Sequence, residues 1–380
     1  MKKYLYRSIE SVFDAIDLKD SLARELEKLL NKEQIKRALN DPHSKRKPRP
    51  CGMTIHTGIG CSFRCIYCYI EDMGFPWTIK PYPLSGLELV YALVRNPYFI
   101  PGRYGTLIAI GSVTEPFTKE TREKSFEYIE HIARYLGNPI QFSTKAYLSI
   151  NDAKRLAHID KGISPLITII SLKHSNKLEP FAPSPEKRLE TIRNLSSQGL
   201  KPILFYRPVI PGINDTEYKE LLSLAKKNGA IGVVVGSLRV TRLIISRLKT
   251  VGFNIDPILK RIPRMPKGHE QVSVNITDIK KTILRYAKTQ NLVPFPMACM
   301  ANLYTHERTC WPMKALGIEI GEKPRDIDFR EIKEVAKYLG LMVEDLSFDK
   351  KQLKLKLRGS REKIIFFKEL IRSYYAVCTR

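Results

Sequence analysis

From Met53 onward the chain alternates short apolar runs with longer helical stretches, and this alternation restricts the fold more than any other feature. The apolar runs are Met53 to Thr57, Thr106 to Ile110, Pro139 to Phe142, Leu166 to Ile170, Pro202 to Tyr206 and Ile231 to Val235. Helical spacing falls between them, over Leu84 to Val94, Lys119 to Leu136, Asn151 to His158, Pro185 to Gln198 and Thr216 to Lys227. Strands that are apolar on both faces and separated by helices belong to a parallel sheet covered on both sides. Six strand–helix units, with Leu238 to Val251 as the sixth helix, are too few for an eight-fold barrel. An α/β fold built as a partial (β/α)6 TIM-type barrel is expected, with its functional groups at the carboxyl ends of the strands.

The flanks read differently. Residues Ser21 to Leu39 carry leucines at helical spacing and predict one amphipathic helix. Asn40 to Pro50 is polar, ends KRKPRP and reads as a linker or an exposed strap. Residues 252–321 are irregular and rich in Pro, Met and Arg. The last segment predicts a small α/β module: helix Phe329–Leu339, strand Met342–Phe348, strand Gln352–Arg358 and helix Glu362–Tyr374. The expected division is an N-terminal helical extension with a basic linker (1–50), a core (51–250), an irregular extension (251–325) and a basic α/β module (326–380).

The chain has 380 residues, 43% of them hydrophobic, which excludes global disorder. No run approaches the roughly 18 apolar residues of a membrane span, so no membrane association is expected. The first residues interrupt their apolar positions with acids, unlike a signal peptide, and a cytoplasmic location is expected. In that compartment seven Cys point to metal or catalysis before disulfides. The 64 Lys+Arg against 39 Asp+Glu give a net charge of +25, which favours polyanions, and nucleic acid is the commonest large one.

Three of the Cys stand together, in Cys61-Ser-Phe-Arg-Cys65-Ile-Tyr-Cys68, just past the first strand. Three thiolates in one loop suit three corners of a cubane iron–sulfur cluster and leave one iron open. Tyr67, beside Cys68, is placed to cover it against water. The other reading is a zinc knuckle, but structural zinc prefers two Cys-x2–4-Cys pairs and no second pair exists.

The Cys-x3-Cys-x2-Cys motif, with an aromatic before its last Cys and a strand before its first, resembles the signature of the radical S-adenosylmethionine (radical SAM) superfamily. The resemblance covers about Met53 to Val240. It implies a 4Fe-4S cluster on Cys61, Cys65 and Cys68, and S-adenosyl-L-methionine (AdoMet) on the open iron. It further implies a 5′-deoxyadenosyl radical that abstracts hydrogen from a substrate, and an electron donor such as ferredoxin or flavodoxin. Gly111-Ser112-Val-Thr114-Glu115 takes the place of the family's glycine-rich turn, with Ser112 where the family has a second Gly. Glu115 then suits the AdoMet ammonium. Ser143 and Lys145 end the third strand, and Lys145 suits the AdoMet carboxylate. Ser171 ends the fourth strand and suits the ribose; Arg207 ends the fifth and suits a carboxylate or a substrate phosphate.

A finer resemblance rests on Thr114-Glu-Pro-Phe, Leu178-Glu-Pro-Phe and Arg207-Pro-Val-Ile-Pro-Gly-Ile-Asn214-Asp215. These are similar to the subgroup related to spore photoproduct lyase, the DNA-repair-photolyase-like enzymes, and imply a DNA or RNA substrate. The lyase draws hydrogen from a Cys just after its second strand. Here that stretch reads Ala109-Ile-Gly-Ser-Val-Thr-Glu, without a Cys, which argues against photoproduct repair itself. A lyase- or transferase-type enzyme is expected, with no residue assigned to the chemical step. The alternatives are a radical SAM enzyme for a peptide or small metabolite, and a nucleic-acid-binding protein with a structural metal.

Cys51, Cys299, Cys310 and Cys378 remain. They read as inert thiols, with an auxiliary cluster or a hydrogen-donating thiol at Cys299 and Cys310 as alternatives. His56 reads as a core residue, His174 as a possible pocket residue and Asn214-Asp215 as a turn. Lys350, Lys351, Lys354, Lys356 and Arg358 predict a basic sheet face for a phosphate backbone, with Tyr374 and Tyr375 as the stacking candidates nearby.

Overall fold

The computed structural model describes residues 11–49, 51–349 and 352–380. Pro50, at the end of the expected strap, and Lys350 and Lys351 lie outside them. Seven parallel strands form the central sheet in chain order: β1 Met53–Ile55, β2 Ile108–Ile110, β3 Ile140–Thr144, β4 Ser164–Thr168, β5 Ile203–Val209, β6 Gly232–Ser237 and β7 Val293–Phe295. Every neighbouring pair runs parallel. Among the described residues β1 and β7 do not pair, so the sheet is a partial barrel of α/β type. β4 is buried at every position, as a strand covered on both faces must be.

Two helices precede the sheet, α1 Val12–Glu27 and α2 Lys32–Asn40. The single helix expected over Ser21–Leu39 is therefore broken. Asn31 accepts from the Gln34 amide at 2.9 Å and the Gln34 side chain accepts from Asn31 N at 3.0 Å, a capping box that starts a new helix. The strap after α2 is pinned rather than loose: His43 is fully buried, and Asn96 Nδ2 donates to the carbonyls of His43 and Arg46.

The helices between strands are α3 Gly86–Arg95, α4 Arg122–His131, α5 Ile150–Ile159, α6 Pro185–Ser197, α7 Tyr218–Lys227, α8 Arg242–Thr250 and α9 Thr277–Thr289. α9 and β7 form a seventh unit inside the stretch expected to be irregular. β7 has only three residues and includes Pro294, which an edge strand tolerates because it needs no donor on its outer side. Next comes α10 Ala298–Thr305, whose Met300, Ala301 and Leu303 pack on Leu166, Ile203 and Val234 of the sheet. Gln141 Nε2 donates to Ala298 O at 2.9 Å and ties the start of α10 to β3.

The chain finishes with α11 Phe329–Tyr338, β8 Met342–Phe348, β9 Gln352–Arg358, α12 Arg361–Tyr374 and β10 Cys378–Thr379. β8 and β9 are antiparallel, and β10 adds parallel to β9. Among the described residues no helix is long and apolar enough to cross a membrane.

Candidate active site

The loop between β1 and α3 carries Cys61, Cys65 and Cys68. Backbone bonds fix it at both sides: Cys61 N donates to Pro76 O at 3.2 Å, and Ile66 N to Leu178 O at 3.0 Å. Arg64 turns the chain between the first two thiols with a left-handed φ of 47°. Cys68 N then closes a turn on Cys65 O at 3.0 Å. All three thiols are free, and all three line one cavity with Glu115 and Lys145. Among the described residues, no three His, Cys, Asp or Glu side chains gather as one metal ion would need.

Burial pushes the Cys61 thiol up to about 11, and pushes Cys65 and Cys68 upward as well. The ammonium of Lys145 opposes this at each of the three. A thiolate cluster facing one ammonium is the donor set that an iron–sulfur cluster takes. Thr114 adds a buried hydroxyl with no partner, in the same cavity. The residues present therefore fit such a group.

Glu115 comes from the turn after β2. Its carboxylate accepts from the Thr144 hydroxyl and, at 3.0 Å, from Lys145 N, so it clasps the ends of β2 and β3 together. Burial raises its carboxyl against those two bonds. Gly111 makes the turn possible. Its φ is +98°, and a Cβ there would lie 2.3 Å from the Ser143 carbonyl oxygen. Ser112 and Ser143 line the cavity beside it.

A second layer was not anticipated from sequence. Glu179 is fully buried, accepts from the Tyr67 hydroxyl and pairs with Arg188, itself 1% exposed. The ammonium of Lys145 stands 4.0 Å from the same carboxylate and 5.7 Å from the Tyr67 ring centre. Burial lowers the Lys145 ammonium, but Cys65, Glu179 and Glu115 outweigh it and raise the net value. Tyr67 thus covers the thiols and is held by Glu179. The only sequence signal was a Glu before Pro in an otherwise apolar loop.

Ser171 departs from expectation. Its hydroxyl donates to Glu217 at 2.7 Å and accepts from His174 N at 2.8 Å, and it lines neither cavity of the site. The strand-end hydroxyl that faces the cavity is Thr168. β4 ends there, two residues before the end expected from the apolar run. His174 packs edge-on against Phe253. His56 N donates to His43 Nε2 at 3.2 Å, and the His56 ring is half-buried with Nδ1 unpartnered. Asn214 holds the loop after β5 through Ile170 O and Pro208 O.

A cleft of about 310 Å³ continues from the thiol cavity over the strand ends. Among the described residues Arg207, Arg239 and Lys145 line it, and no carboxylate does. Ser237 links it to a groove of about 1290 Å³ lined by Lys260, Arg261, Lys280 and Asp256.

On the C-terminal sheet Lys354, Lys356 and Arg358 are exposed on one face while Leu353 and Leu355 point inward. Lys356 is paired with Glu344 at 3.1 Å. Tyr374 and Tyr375 are buried, and the Tyr375 hydroxyl bonds Glu331, so neither is a stacking platform.

Residues 55–225 match the family model described as the radical SAM superfamily. The fold is similar to that of spore photoproduct lyase. A structure of that enzyme with bound AdoMet and dinucleoside spore photoproduct superposes at a TM-score of 0.52 and 17% identity, over 64% of this chain and 76% of the lyase. A second structure of the lyase gives 0.50 and 17%, over 63% and 75%. Among curated sequences, an uncharacterized protein of Methanocaldococcus jannaschii is 28% identical over 201 residues, 49% of this chain and 71% of that protein. Uncharacterized proteins of Acidianus two-tailed virus and Mycobacterium tuberculosis are 24% and 26% identical. Each match covers about half of this chain, and those two span 64% and 60% of the relative. The chain carries a radical SAM domain, and that superfamily uses a 4Fe-4S cluster and AdoMet.

Proposed function

We propose that this radical SAM domain holds a 4Fe-4S cluster through Cys61, Cys65 and Cys68, binds AdoMet against it and abstracts hydrogen from a nucleic-acid substrate. The observation that carries the reading is the single cavity that the three thiols share with Glu115 and Lys145. When bound, the cluster and AdoMet supply one-electron cleavage of a carbon–sulfur bond and the hydrogen-abstracting group.

The chain supplies position and dryness. Glu115, fixed by Thr144 and Lys145 N, offers its remaining lone pairs to the AdoMet ammonium. Lys145 offers its ammonium to the AdoMet carboxylate and offsets thiolate charge. Gly111 lets the backbone pass close to the cosubstrate. Thr168, with Ser112 and Ser143, takes the hydroxyl-recognition role expected of Ser171. Tyr67, locked by Glu179, keeps water from the thiols.

Charge supports this substrate class. Among the described residues the cleft that opens from the cavity is lined by three cations and no carboxylate, and the adjoining groove adds Lys260 and Lys280 against Asp256, its Arg261 being paired with Asp278. Arg207 and Arg239 at the mouth suit phosphates flanking a nucleotide at the strand ends. An electron donor such as ferredoxin or flavodoxin completes the system.

The test uses anaerobically purified protein reduced with dithionite. Roughly four irons bound at this site and 5′-deoxyadenosine formation, both lost in the Cys61/Cys65/Cys68→Ala triple variant, are expected. Zinc with no deoxyadenosine refutes the enzyme. For the substrate, nucleic-acid affinity should fall steeply between about 50 and 200 mM salt, with a shallower slope in Arg207→Ala/Arg239→Ala. No binding at low salt refutes the nucleic-acid reading.

A further inference from the structure

The four Cys outside the thiol loop are far apart in sequence, yet they line one cavity together. Cys51 sits in the turn before β1, Cys299 in the first turn of α10, Cys310 just before a short helix at Trp311–Lys314, and Cys378 in β10. The Cys51 thiol shares the cavity wall with Cys299 and Cys378 and feels both electrostatically. Cys310 is buried and the other three are half-buried. All four are free thiols.

The backbone is bent to achieve this. Cys51 holds a left-handed φ of 63°, in a turn closed by reciprocal bonds of 2.9 Å between Arg49 and Gly52. Gly52 follows with its α-carbon so close to β2 that a Cβ would lie 2.6 Å from Leu107 O. The C-terminal tail is docked independently, by Trp311 N donating to Ala376 O at 3.0 Å. Charge around the cavity favours an anionic centre: Arg308 and Arg372 line it, against Glu369, which Arg372 pairs.

We infer that Cys51, Cys299, Cys310 and Cys378 form a second, four-thiolate site, spread wider than one metal ion needs and suited to an iron–sulfur cluster. Four thiolates around a divalent charge leave a net of −2, which Arg308 and Arg372 face. The site lies at the amino ends of β1 and β2. Leu107 lines it while Gly111 lines the thiol-loop cavity, about 13 Å away along the strand path. It would clasp β1, α10 and the C-terminal sheet together. The inference does not rest on the proposed function, because the two sites share no ligand.

The Cys61/Cys65/Cys68→Ala variant of the full chain separates them. Purified anaerobically, it should retain about four irons with matching acid-labile sulfide per chain. Iron with a sulfide-dependent absorption band assigns the cluster; zinc without sulfide overturns it. Cys310→Ser and Cys378→Ser, introduced singly into the otherwise natural chain, should lower total metal by that same increment and leave metal at the thiol loop in place. As a measurement independent of any variant, iodoacetamide on the native protein should spare these four Cys until a chelator is added. The inference is overturned by metal below about one tenth per chain in the triple variant with all four thiols alkylated at once. It is equally overturned by a Cys51–Cys299 or Cys51–Cys378 disulfide in the anaerobic protein.

Discussion

Replacing Glu115 with Gln separates the two jobs that the structure gives this side chain. As a clasp, the carboxylate accepts from the Thr144 hydroxyl and from Lys145 N at 3.0 Å. A Gln in the same rotamer keeps its carbonyl on Lys145 N and turns its NH2 toward Thr144 Oγ1. That oxygen already accepts from Ala146 N at 2.9 Å, so it has room for one more donor. The clasp survives with two neutral bonds in place of two charge-assisted ones, and the expected stability loss is about 1 kcal/mol. As a ligand for the AdoMet ammonium, the amide loses the charge altogether. A bond to a charged group contributes about 1.5–3 kcal/mol, so AdoMet affinity should fall by about 10- to 150-fold. The assay is equilibrium binding of AdoMet to anaerobic protein of verified iron content, beside a urea unfolding curve. Unchanged affinity at unchanged iron content would refute the ligand role and leave Glu115 a clasp. A collapse of stability by several kcal/mol would show that the clasp was misjudged instead.

Arg188→Met leaves the Glu179 carboxylate buried with Tyr67 and a Lys145 ammonium at 4.0 Å; a loss of about 3–5 kcal/mol is expected from urea midpoints. Adding Glu179→Gln to Arg188→Met should recover part of that, and full additivity of the two losses would contradict the pairing. Gly111→Ala forces a Cβ to 2.3 Å from a carbonyl oxygen at φ +98°, so AdoMet binding should disappear while α-helical content by circular dichroism persists. Burial, with the Arg46 and His43 charges beside it, lowers His56 to about 3. The unfolded chain therefore binds the extra proton between about pH 6.5 and 3, and stability present above that window is lost as pH falls through it. His56→Leu should make the loss shallower by about 1.4 kcal/mol per pH unit within the window, and an unchanged slope would exclude His56 as its source.

The legibility of the fold depended on period. Gln352–Arg358 was readable residue for residue because one face is buried and one is wet, so Leu and Lys alternate. The central strands were readable as runs, but a run buried on both faces does not mark its own ends. β4 therefore lies two residues earlier than its apolar run suggests, which puts Thr168 rather than Ser171 at its end. β7 was invisible because three residues with a Pro carry no period. The break between α1 and α2 hid beneath leucines whose spacing continues across it, and only the Asn31–Gln34 box betrays it. Local motifs survived best: the thiol loop is one stretch of chain. Pairings between distant positions, such as Tyr67 with Glu179, or the meeting of Cys51 and Cys378 at one cavity, leave little trace in one sequence.

The first helix has a consequence for how the chain comes off the ribosome. α1 lays Leu18, Leu22 and Leu26 into the core, and part of its contact set, α3, emerges early. Its opening turn depends on much later residues. Val12 N donates to the Glu331 carboxylate at 3.1 Å, and the Phe13 ring meets Tyr338 edge-on. The nearer of these partners, Glu331, lies 319 positions downstream of Val12, which takes about 16–60 s to synthesise at usual elongation rates. Throughout that interval the start of α1 has an apolar side and no surface to set it against. The nascent chain should therefore be vulnerable to proteases and attractive to chaperones along the start of α1, until the C-terminal module arrives to close over it.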